Sequence, residues 1–293
     1  MSIDHPAEAN RANGIGILTM VTAMALVPLV DLQAKILVLG GLSPMQVVFL
    51  RMFCGALLIL PVVFARRNPQ LYSRKGWRDA AMLGFFSICG GFCFFGSLKY
   101  LSIADAVAIS FVQPLFVTLF SRLFLKEKVD VKRWLALLVG FCATLIIIRP
   151  ANAYSDIGSL LALGAGLAMA CYAIVVKRGS KGVSGISPMT VCFQTHVAAA
   201  AVAAPTMIFF WSGASLVQWG IVVGMALLGL AVQYLIINAY HLGDASIIAP
   251  FAYVEIITST FVSWLFFRDV PDQMTFFGVA ILIGSSLYIA WRR

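Results

Sequence analysis

Ser43-Pro-Met-Gln-Val-Val-Phe-Leu-Arg51 puts a guanidinium inside an apolar run, and the next charge does not come until Arg66. A helix entering a bilayer at Pro44 carries Arg51 seven residues in, about 10 Å deep at 1.5 Å per residue. On insertion scales a charge at the centre of a membrane helix costs about 2.5–3.5 kcal/mol unless a counter-charge or water meets it. The pattern returns 144 residues later as Ser187-Pro-Met-Thr-Val-Cys-Phe-Gln-Thr195, where Thr195 takes the arginine's place beside Gln194 and His196. The chain therefore reads as two copies of one scaffold whose polar groups differ.

Of the 293 residues, 61% are hydrophobic and 11% charged, and mean hydropathy is +0.95. A soluble domain of this size carries about 25% charged residues, so an all-α polytopic membrane protein is expected. The apolar segments are too long for barrel strands. Ten spans are expected, roughly 14–38, 44–64, 79–98, 104–125, 133–149, 157–177, 188–211, 217–240, 244–267 and 273–291. No loop has room for a soluble domain, and no glycine-rich phosphate loop ending in lysine occurs.

The net charge of +9 resides in short loops, where membrane orientation explains it without a nucleic-acid partner. With the N-terminus inside, sixteen basic residues fall on the inner side, in clusters such as Arg66–Arg78 and Arg122–Arg133. The outer side has four: Lys35, Lys99, Arg149 and Arg268. Both termini are then cytoplasmic, and a bacterial inner membrane is the expected location. Residues 1–13 form a short cytoplasmic segment with neither a basic leader nor a cleavage site, so the first span is expected to be retained. The six cysteines lie in apolar segments without metal-ligand spacing, and neither metal nor cofactor is expected.

Further matches support the duplication. Leu123-Phe-Leu-Lys-Glu-Lys-Val129 parallels Leu265-Phe-Phe-Arg-Asp-Val270 at an offset of 142, which Trp77 and Trp219 share. Five spans per copy is an odd number, so the second copy must enter upside down. Inverted repeats of this kind enclose a midplane substrate site in secondary transporters. Ten spans in two copies, the short Lys126-Glu-Lys128 loop and Pro250-Phe-Ala-Tyr-Val-Glu255 together resemble the drug/metabolite transporter superfamily, in its EamA-type branch. The resemblance implies two inverted five-helix repeats, 14–149 and 157–291, around a cavity opened alternately to each side. Members of this family move amino acids, vitamins, nucleotide-like metabolites or drugs. Asp31-x-x-x-Lys35 followed by Gln46-x-x-x-x-Arg51 is similar to some riboflavin carriers, which makes vitamin uptake the alternative reading.

Glu255 is the sharpest acidic candidate, placed ten residues into span nine, and the offset sets Gln113 against it in the first copy. It has three readings: a proton carrier, a partner for Arg51 or a seat for a substrate ammonium. Arg51 suits a carboxylate or phosphate in a two-pronged geometry, and a permanent pair with Asp31 is the competing reading. Lys35 reads as a partner of Asp31 or as a snorkelling side chain. Gln194, His196, Gln233, Asn238 and Tyr253 complete the binding candidates, with Glu255, Asp31 and His196 as titrating groups for proton coupling. Pro28, Pro114 and Pro250 are candidate helix breaks. Gly220-x-x-x-Gly224 and Ala162-x-x-x-Gly166-x-x-x-Ala170 read as close-packing stripes.

These readings converge on a carrier for a small polar or zwitterionic metabolite, monomeric or homodimeric in the lipid bilayer. A passive channel would require a ring of like residues or a repeated filter, and neither is visible. An intramembrane enzyme would require a catalytic pairing with credible spacing, and no catalytic residue is assigned.

Overall fold

A computed structural model describes residues 6–65, 73–125, 153–180, 188–242, 251–252, 254–269 and 271–291, with positions 135, 138–139, 142–143 and 146. Among these residues every regular element is helical. The repeated Ser-Pro-Met stretch marks the same event twice. Pro44 opens α2 (Pro44–Ala65) and Pro188 opens α7 (Pro188–Ala203). At a first helical position the missing proline amide costs nothing and the fixed φ is already right. Ser43 completes the first of these starts, its hydroxyl accepting from the Gln46 amide at 3.1 Å.

Helix α1 (Pro6–Leu39) runs through Pro28 without ending, contrary to the expected break. Helix α3 (Arg74–Ser97) is capped by Ser73. The fourth span divides into α4 (Ile103–Ser110), capped by Ser102, and α5 (Gln113–Leu125). The break falls just before Pro114, which has no amide to donate to the Ser110 carbonyl and so cannot continue α4. Then follow α6 (Ala153–Ser180), α7, a 3₁₀ turn at Ala204–Thr206 and α8 (Met207–Phe210). Helix α9 (Leu216–Leu242) is followed by α10 (Val254–Phe267) and α11 (Gln273–Trp291).

Glu255 stands in the first turn of α10. Pro250 and Tyr253 lie outside the described residues. Helix α10 ends at Arg268, whose φ of 61° is left-handed; its amide bonds the Trp264 carbonyl at 3.1 Å and the Asp269 amide bonds Ser263 at 3.3 Å.

Seven segments among the described residues are long and apolar enough to cross a membrane, and Val254–Phe267 is a shorter apolar helix. Much of their apolar surface faces outward: Leu216 is 89% exposed and Phe209 84%. A soluble fold would bury such side chains, so lipid covers them and the protein is a multi-pass integral membrane protein.

The halves of the chain interlock. Helix α3 lies against α6 and α7, α1 against α9 and α10, and α2 against α7 and α9. One large core binds them, built around Leu37, Val47, Leu50, Phe95, Ile103 and Met225. The Ala162–Ala170 stripe packs as expected, with both alanines fully buried and Gly166 set against the Ser110 carbonyl. Gly220 faces open space instead, whereas a Cβ on Gly224 would stand 3.0 Å from Gln33 Nε2 of α1, so the stripe packs closely at its Gly224 end.

Candidate functional site

The charged residues of the apolar interior meet where α1, α2, α7, α9 and α10 converge. Asp31 of α1 is buried. Arg51 of α2 carries its guanidinium 6.0 Å from the Phe95 ring of α3. Its Nε lies 3.2 Å from where a Cβ on Gly229 of α9 would stand. A Cβ there would press on the arginine side chain, so Gly229 gives the guanidinium room.

His196 of α7 is buried and its Nδ1 sits 2.8 Å from the Cys192 carbonyl, which makes Nδ1 the donor. The imidazole lies against Gly55 of α2, where a Cβ would come within 2.6 Å of Cδ2. Sequence reasoning missed Gly55, Gly229 and Phe95. The signal available for the two glycines was their position in the middle of apolar runs, which marks close approach without naming the neighbour.

Electrostatics link the group across the two halves. Asp31 interacts with Arg51 and Glu255, and Arg51 with His196. Yet no ion pair within 4.0 Å joins Asp31 to Arg51 among the described residues. Asp31 Oδ2, Arg51 Nε and Thr195 Oγ1 are buried with no hydrogen-bond partner. An unpartnered buried donor or acceptor costs about 1–3 kcal/mol, more when charged. Such atoms are suited to a partner that arrives from outside. A guanidinium pairs with carboxylate or phosphate, and two carboxyl groups suit an ammonium or a hydrogen-bond donor.

The other candidates are distributed more widely. Gln194 is buried beside Gly76 at the start of α3, away from the arginine. Gln113 opens α5 as Glu255 opens α10, each within the first turn of a helix of 13 or 14 residues. Gln113, Gln233 and Asn238 are half-buried, and no hydrogen bond joins them to Asp31 or Arg51 among the described residues. Tyr253 lies outside the described residues.

Lys35 does not pair with Asp31. Its Nζ lies 3.8 Å from Asp269 Oδ2, donates to the Leu101 carbonyl at 3.0 Å and sits 4.5 Å from the centre of the Phe267 ring. A groove of about 320 Å³ runs between α2 and α7, lined by apolar side chains such as Phe53, Leu57, Phe193 and Val197. Phe53 and Leu57 are exposed, so this groove faces lipid and is separate from the charged group.

The chain is 28% identical over 258 residues to an S-adenosylmethionine uptake transporter of Rickettsia bellii, covering 85% of this chain and 84% of that one. It is 28% identical over 255 residues to a riboflavin transporter of Vibrio cholerae, covering 85% and 83%. A pseudopaline exporter of Pseudomonas aeruginosa is 27% identical over 255 residues, covering 84% and 85%. One solved crystal structure superposes with a TM-score of 0.63 over 97% of this chain and 98% of that one, at 20% identity, a likeness of fold alone. Residues 14–149 and 156–291 each match the EamA-like transporter family, and the chain belongs to that family, a branch of the drug/metabolite transporters.

Proposed function

We propose that the protein is a secondary carrier that moves a small zwitterionic organic metabolite by alternating access. Arg51 receives the anionic group of the solute, and Asp31 with Glu255 receives the cationic one. The observation that carries this reading is the pair of orphaned buried atoms, Asp31 Oδ2 and Arg51 Nε, with no ion pair closing between their side chains. A structural salt bridge would be closed. A site waiting for a solute is left open.

The proposal includes ten helices in two inverted five-helix repeats, 14–149 and 157–291, after a cytoplasmic segment 1–13. In support, Gln113 and Glu255, related by the offset of 142, both stand in the first turn of a short helix. Broken helices whose positive ends point at a central site are a recurring feature of inverted-repeat carriers. Both termini are placed in the cytoplasm of a bacterial inner membrane by the basic loops. Proton coupling or exchange drives transport, with Glu255, Asp31 and His196 as the groups that titrate.

Among solutes of the relatives, S-adenosylmethionine bears an α-amino-acid end with carboxylate and ammonium, which suits the two poles of this site. Riboflavin has no such pair of charges, and uptake of a riboflavin-type vitamin is the second reading. The relatives include importers and an exporter, so their names do not fix direction.

The test is a thermal-shift screen of the purified protein against S-adenosylmethionine, riboflavin and the amino acids, repeated in Arg51→Ala and Glu255→Gln. Stabilisation of the wild type that disappears in both variants supports the central site. Stabilisation unchanged in both places the site elsewhere. Saturable uptake with counterflow in proteoliposomes excludes a passive pore.

A further inference from the structure

Ties between the two halves of the chain gather at the end where α1 finishes and α2 begins. Lys35 meets Asp269 at 3.8 Å while holding the Leu101 carbonyl. Gln46, fully buried, donates to the Ser212 carbonyl at 2.8 Å and accepts from its amide at 3.1 Å and its hydroxyl at 2.8 Å. Ser43 bonds the Phe210 carbonyl at 3.2 Å, and Gln218 the Gly40 carbonyl at 3.0 Å. Asp105, at the head of α4, accepts from Ser102 at 2.7 Å and from Thr275 of α11.

We propose that this end is a closed gate and that Lys35 is its bolt. Lys35 lies one turn beyond Asp31 on the same face of α1, so it stands directly between the charged group and this end of the bundle. On α10, Ser259 and Ser263 follow Glu255 at intervals of four; both are wholly buried and Ser263 Oγ has no partner. They form a polar file from Glu255 to the loop that presents Asp269.

A solute entering or leaving by this end has to part Lys35 from Asp269. The pair is made to part, because it is long at 3.8 Å and Asp269 is 46% exposed, so water replaces the lysine readily. Freed from Asp269, Lys35 has Asp31 within reach at i−4, and an exchange of partners ties opening of the gate to the state of the site. Gln46, which holds backbone on both sides of one residue, is the hinge pin and stays closed. The inference rests on the carrier reading for what passes through the gate, but closure itself is measured without any solute.

The experiment places spin labels at Leu39→Cys and Met274→Cys, both exposed positions, in the full chain with its six native cysteines replaced. Double electron–electron resonance then reports the separation of α1 from α11. The expected result is one distance population in the otherwise unaltered protein. Lys35→Met and Asp269→Asn each add a second population, longer by about 5 Å, one helical turn, or more. The charge swap, Lys35→Asp with Asp269→Lys, restores the single population. A distribution that stays unchanged in both single variants overturns the gate, whether or not the protein carries any solute. A longer population that survives the swap overturns the role of the ion pair. Failure of uptake with an intact gate response overturns the carrier reading and leaves the gate standing.

Discussion

Two polar regions of the interior, little more than one helical turn apart along α1 and α2, are treated in opposite ways. At the α1–α2 end, Gln46 spends both ends of its amide on Ser212, and Lys35 has an anion, a carbonyl and a ring. Deeper in, Asp31, Arg51 and Thr195 keep buried atoms with no partner at all. Burial is equally costly in both places, so the difference lies in what each set is for. On the carrier reading proposed above, the saturated groups join one part of the chain to another, and the orphaned atoms of Asp31, Arg51 and Thr195 await a solute.

The largest expected effect breaks the comparison if it fails. Arg51→Met removes the orphaned charge and should lower uptake of the solute by about 100-fold or more, the scale for truncating one member of a buried charge pair. Its melting temperature without solute should change little, since no closed ion pair or hydrogen bond of Nε is lost. A protein that melts early instead would make Arg51 a structural residue. Next, Gly55→Ala drives a Cβ into the His196 ring and should cost about 1–3 kcal/mol, read by a fall in melting temperature in detergent. Gly55→Ala combined with His196→Ala should recover much of that loss.

Gln46→Ala sharpens the contrast from the other side. It strands the amide and carbonyl of Ser212 and should cost about 1–2 kcal/mol of stability while uptake persists. The smallest effect belongs to Thr195→Val. With no hydrogen bond to lose, stability should move by less than about 1 kcal/mol, and a drop in solute affinity of about tenfold would place Thr195 in contact with the solute.

Much of this frame is legible in residues alone. The Ser-Pro-Met repeat locates two helix starts, the apolar runs locate the spans, and an arginine inside one of them marks the candidate site. What escapes has a common physical origin. For Lys35 the sequence offers only its helix neighbour Asp31 or the membrane interface, whereas its partner Asp269 is 234 positions away and is delivered by a loop from the far end of the chain. Gly55 and Gly229 matter through what presses on them, and a glycine carries no mark of its neighbour. Pro114 was read correctly because its effect is confined to its own backbone, and Pro28 was not, because the helices around α1 hold it straight.

Arg268 offers a practical handle on all of this. Its left-handed backbone, at φ 61°, turns the chain sharply so that Asp269 faces Lys35. A residue with a side chain pays about 1–2 kcal/mol for that conformation, and glycine does not. Arg268→Gly should therefore remove that cost from the conformation described here and raise the melting temperature, which makes it a single-residue tool for stabilising this form. A homogeneous sample arrested in one state is what crystallisation and single-particle imaging of small membrane proteins require.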